Sequence, residues 1–71
     1  MLETELQMIE RHIREGDAIV ARQTQLVAEL RRGRGHDRLL DEAVRLLGQF
    51  KDTLQLHHKH LARYRQEHGP H

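Results

Sequence analysis

The chain has 71 residues, of which 37% are hydrophobic, 32% charged and only 3% aromatic, with one Phe, one Tyr and no Cys or Trp. One domain of this length rarely draws more than about 3–5 kcal/mol from its core, and without cysteine there is no disulfide, thiolate zinc site or cysteine nucleophile. Twelve Lys and Arg against eleven Asp and Glu leave a net charge of +1, so no global field demands a nucleic acid or an acidic partner. No apolar run approaches the roughly 18 residues of a membrane span, and no signal-like apolar segment follows Met1. A cytoplasmic protein with no membrane partner is the expectation.

From the N-terminus, Leu2, Leu6, Ile9, Ile13, Gly16, Val20, Gln23, Val27 and Leu30 follow at alternating steps of four and three. That is a heptad seam with two non-apolar members, Gly16 and Gln23, and it predicts a first helix over about residues 2–32. Ile19 and Leu26 widen the stripe on one flank.

The segment Arg31-Arg32-Gly33-Arg34-Gly35-His36-Asp37-Arg38 breaks the pattern. Gly33 is expected to close the first helix as a left-handed cap, and Asp37 to N-cap the second. Arg31 and Arg32 then meet the negative end of one helix dipole, while Asp41 and Glu42 lie near the positive end of the other. A turn as short as residues 33–37 makes the helices antiparallel.

The second helix is predicted over about residues 38–67, with a short disordered tail at 68–71. Its seam is Leu40, Ala43, Leu47, Phe50, Leu54, His57, Leu61, Tyr64 and His68, flanked by Leu39, Val44 and Leu46. The expected fold is therefore all-α: one antiparallel two-helix hairpin, coiled-coil-like, spanning residues 1–71. Folding the chain at residue 35 sets Leu30 against Leu40, Val27 against Ala43, Gln23 against Leu47, Val20 against Phe50 and Leu6 against Tyr64. It also sets Gly16 against Leu54, His57 near Ile13, His12 near His58 and Glu10 near His60. Charge agrees, since residues 1–17 carry five acids and two arginines and residues 53–69 are net +2. Gly16 then reads as relief for bulky neighbours. Gln23 reads as a polar seam entry that specifies register or oligomeric state at a cost in stability.

One hairpin leaves Ile19, Leu26, Leu39 and Leu46 partly in water, so a homodimer closing into a four-helix bundle is expected. Its core and interface would comprise Ile13, Gly16, Ile19, Val20, Gln23, Leu26, Val27, Leu46, Leu47, Phe50, Leu54 and His57.

Two clusters carry possible chemistry. Five of the seven histidines follow residue 56, and His57 with His60, joined by His12, could ligate zinc, nickel or copper. Neither an HExxH motif nor a Glu-x-x-His in each helix accompanies them, and the plainer reading is a packed His57 among solvated histidines. The turn concentrates Arg31, Arg32, Arg34 and Arg38 against Asp37 alone, which suits phosphate contacts but lacks aromatics for base stacking. Its plainer reading is a solvated turn compensating a helix end. No Ser/His/Asp set, paired core carboxylates or glycine-rich phosphate loop is present, so neither an enzyme nor a cofactor is expected.

The string His12-Ile13-Arg14-Glu15-Gly16-Asp17, with Ile19, Arg22-Gln23, Leu30, Gly35-His36-Asp37, Ala43, Leu46-Leu47, Thr53-Leu54 and His57, resembles a group of short, chiefly alphaproteobacterial hypothetical proteins. The likeness spans most of residues 9–61, implies a helical hairpin and carries over no catalytic residue. The plan also resembles Rop-type dimeric hairpin bundles that bind RNA, in architecture and without a shared residue motif. Together these readings give a small non-enzymatic interaction or regulatory protein, a homodimer that binds a partner protein. The alternatives are nucleic-acid binding through the arginine-rich turn and metal binding through histidine.

Overall fold

The computed structural model describes residues 2–33 and 35–69. Two helices, α1 (Glu5–Arg32) and α2 (Asp37–His68), pack side by side as an antiparallel hairpin of 56 × 25 × 14 Å. The all-α hairpin expected from the heptad steps is the fold, and no described residue lies in a strand. No helix among the described residues is long and apolar enough to cross a membrane. Arg34, and Pro70 and His71 of the expected tail, lie outside the described residues.

The helix ends differ from expectation. α1 starts at Glu5 because Thr4 caps it: the Thr4 hydroxyl accepts from the Gln7 backbone N–H at 3.1 Å, and the Thr4 N–H donates to Gln7 Oε1 at 3.0 Å. This reciprocal box satisfies two of the otherwise orphaned donors at a helix start. Leu2, expected on the seam, falls before the cap and is 97% exposed. At the other end Gly33 has φ −83°, so it is no left-handed cap; its N–H donates to the Glu29 carbonyl at 3.3 Å. A side chain at Gly33 would run into the His36 ring, so close approach explains this glycine. The left-handed residue is Gly35, at φ 80°. His36, not Asp37, is the N-cap of α2, and no side-chain cap bond forms. Asp37 occupies the first turn instead, where its charge still meets the helix dipole. α2 continues to His68, whose ring stacks on Tyr64 with centroids 4.2 Å apart.

An ion-pair chain secures the start of α1. Arg11 donates from Nε and Nη2 to both carboxylate oxygens of Glu3, at 2.9 and 3.0 Å, and from Nη1 to Glu15 at 3.0 Å. The bidentate bond from Arg11 holds the Glu3 carboxyl below its ordinary range. This contribution is present above the usual glutamate pKa and is lost as pH falls through the lowered value. All three groups are substantially exposed, so the network orients the N-terminus more than it stabilises the fold.

Among the described residues, burial is confined to Ile9, Val27 and Ala43. The rest of the seam between its two exposed ends, Leu2 and His68, including Ile13, Gly16, Val20, Gln23, Leu47, Phe50, Leu54 and His57, is half-buried. Gly16 does face Leu54: a Cβ there would lie 2.8 Å from Leu54 Cδ1. Gly48, by contrast, has open space where a Cβ would go.

The two glycines give a paired expectation. Gly48→Ala should raise stability by about 1 kcal/mol through helix propensity alone. Gly16→Ala should gain less, since the Leu54 methyl must move. Chemical denaturation of both variants checks the register, which would be wrong if Gly16→Ala gained more. Thr4→Ala should cost about 0.5–2 kcal/mol by the same measurement. In NMR titration the Glu3 carboxyl should titrate below other glutamates, and move back up in Arg11→Met.

Candidate functional site

The two flanks of the hairpin are chemically unlike. Residues that precede a seam position by one, namely Glu5, His12, Ile19 and Leu26 on α1 and Leu39, Leu46, Thr53 and His60 on α2, share one flank. Residues that follow the seam by one, including Glu10, Asp17 and Arg31 on α1 and Lys51, His58 and Arg65 on α2, share the other. The second flank carries acids on the open half of α1 and cations along α2; the first is apolar over its turn-proximal half. Leu26, Leu39 and Leu46 are 42%, 55% and 38% exposed, with Ile19 half-buried beside them. A shallow recess of ≈ 210 Å³ lies among Leu26, Leu30, Leu39, Glu42, Ala43 and Leu46. Val44 is also exposed, on the second flank, where it borders a recess with Ala28, Leu47 and Gly48, and Leu56 is exposed further along α2.

Further from the turn, the missing side chain at Gly16 opens a second recess of ≈ 160 Å³ on the same flank. Ile19, Phe50 and Leu54 form its apolar wall, and His12, Glu15, Thr53 and His57 its rim. The His12 and His57 rings approach with centroids 5.1 Å apart and planes tilted by 43°. His12 therefore meets His57 and not His58. The reason is helical phase: His12 precedes Ile13 on the seam, whereas His58 follows His57 and turns to the opposite flank. The same phase corrects the partner of His60, which is Glu5 and not Glu10. Glu5 Oε1 lies 3.8 Å from His60 Nε2, a separation that makes an ion pair when the imidazole is protonated. The three histidines read as possible ligands thus divide, with His60 directed to Glu5. Among the described residues no group of three or more His, Cys, Asp or Glu is placed to hold a metal ion.

Gln23 enters the seam as expected but makes a more specific contact than packing on Leu47. Its Nε2 donates to the Ala43 carbonyl at 3.2 Å, across the helix interface. That bond ties the turn-proximal part of the seam to one register, and among the described residues no buried side-chain polar atom lacks a partner. Of the arginines of the turn, Arg31, Arg32 and Arg38 are exposed at the tip, and Arg34 is outside the described residues. The expected interface residues Ile19, Leu26 and Leu46 lie together on one face, which the seam residues Phe50 and His57 border.

Compared with protein-family models, curated proteins and solved structures, the chain matches none.

The role assigned to Gln23 is open to measurement. Gln23→Leu should raise the melting temperature, because the Ala43 carbonyl keeps its place in the helix ladder and an apolar side chain joins the seam. It should also broaden the distribution of sedimenting species, since the cross-helix hydrogen bond from Gln23 to the Ala43 carbonyl is gone. A variant that sediments as sharply as the parent would remove the specifying role.

Proposed function

We propose that this chain is a non-enzymatic association module, a cytoplasmic hairpin that pairs with a second copy into a four-helix bundle and in that form engages a partner protein. The observation that carries the reading is the difference between the flanks: Leu26, Leu39 and Leu46 stand in water along one edge while the other edge is patterned with charge. A hairpin that buries only Ile9, Val27 and Ala43 completely has little core of its own, and a second copy covers the open edge without any new sequence. Among the described residues the recesses are open and shallow and none gathers a catalytic set, which favours binding over chemistry.

Sedimentation should give a mass twice 8.4 kDa, and the melting temperature should rise with protein concentration. Leu46→Lys should return the chain to a monomer and abolish that concentration dependence. A parent chain that stays monomeric and stably folded at micromolar concentration would overturn the pairing. Retention on RNA or DNA at low salt, steeply lost on adding salt and weakened by Arg31→Ala, Arg32→Ala and Arg38→Ala, would replace the partner-protein reading with nucleic-acid binding through the tip.

A further inference from the structure

We propose that His12 and His57 form a site for a late first-row divalent cation, of the zinc, nickel and copper kind, bridging the two helices. One imidazole comes from α1 and the other from α2, so the pair is a product of the fold and of no local sequence motif. A cation held by two imidazole nitrogens at about 2.0–2.1 Å keeps the ring centres roughly 4.5–5.3 Å apart, across the span from square-planar to tetrahedral angles. The observed separation is 5.1 Å, and the 43° tilt departs from the flatter 27° stack that Tyr64 and His68 make along one helix. Ring packing alone can also produce such an approach. Two further features distinguish a site from a packed pair.

First, among the described residues neither imidazole has a hydrogen-bond partner, so no protein donor competes for the ring nitrogens. Second, the rings stand at the rim of the open recess beside Gly16, with room for the water ligands that a two-residue site requires. Imidazole donors select late transition cations over magnesium or calcium, which prefer all-oxygen shells. Protons compete for the same nitrogens, so binding should weaken on acidification. Both ligands belong to one hairpin, so the site does not depend on the pairing proposed above.

The test is titration of the untagged full chain with Zn²⁺ and Ni²⁺, with Mg²⁺ as the control. Melting temperature and the histidine ring resonances are followed together. The His12 and His57 resonances should respond first, with broadening by Ni²⁺, and the melting temperature should rise with Zn²⁺ and not with Mg²⁺. His12→Gln or His57→Gln should weaken binding by about tenfold or more, while His60→Gln and His58→Gln leave it unchanged. His12→Gln alone decides the matter should His57→Gln fail to fold. Absence of any response, or a response that survives in His12→Gln, would overturn the assignment; the latter would place the ion on the C-terminal histidines. Sedimentation under the same conditions keeps this outcome separate from that of the pairing.

Discussion

A side chain on either helix of this hairpin can be enclosed from one direction only, by the single neighbouring helix. That constraint governs the molecule. The seam positions are apolar over nearly the whole length of both helices, yet complete burial is reached only at Ile9, Val27 and Ala43. Elsewhere the helices cover each other along a line, and the bulkier members of the line, Phe50 and Leu54, remain half in water. Two small residues occupy telling places on that line. Ala43 is buried between the helices with its carbonyl bonded to Gln23, and Gly16 leaves space that Leu54 only partly fills. The recess that carries the histidine pair follows from that incomplete filling.

With so little buried area, register must be held by contacts spread along the hairpin. Four levels supply them: Glu5 with His60, His12 with His57, Gly16 with Leu54, and Gln23 with the Ala43 carbonyl. The two nearest the turn are a shape fit and a directional hydrogen bond. The two nearest the open end are a ring contact and a pair whose attraction requires a protonated imidazole. A slip along the seam breaks the inner two, whereas the outer two can adjust through side-chain rotation. Rigidity therefore belongs to the turn-proximal half and chemical responsiveness to the open half.

The sequence makes the helices, the turn, the antiparallel sense and the Gly16–Leu54 opposition legible, because each depends on spacing along one dimension. The histidine partners were not legible by the same arithmetic. Pairing residues by their distance from the turn treats each helix as a ladder, whereas each is a cylinder on which one residue advances about 100°. His12 and His58 are level but turned to opposite flanks, and so are Glu10 and His60. Asking whether each residue precedes or follows its seam neighbour would have placed all of them. Thr4-Glu5-Leu6-Gln7 carried a readable capping box as well. It is obscured by Leu2, which extends the heptad steps one turn beyond the point where the backbone stops being helical. At the turn, no pattern distinguishes the left-handed glycine, since Gly33 and Gly35 are equally free to adopt it and the close approach of His36 to Gly33 is a tertiary fact.

The division of the open flank also bears on how two copies would meet. Its apolar residues, Ile19, Leu26, Leu39 and Leu46, all lie between the turn and the middle of the hairpin, while Glu5, His12 and His60 occupy the remainder. Pairing with both turns at one end matches apolar with apolar over the full length, but gathers Arg31, Arg32 and Arg38 of both copies at the same tip. Pairing head to tail, centred on the apolar half, separates the tips. Each would then lie near the middle of the other copy, where Glu15 stands on the rim of the Gly16 recess while Glu10 and Asp17 face the other flank. Apolar burial would be available to both arrangements, and separating the like-charged tips would favour head to tail. In that arrangement a guanidinium from one copy would approach the rim on which Glu15 and the histidine pair of the other stand. Cation binding at the recess and association along the flank would then oppose one another through charge.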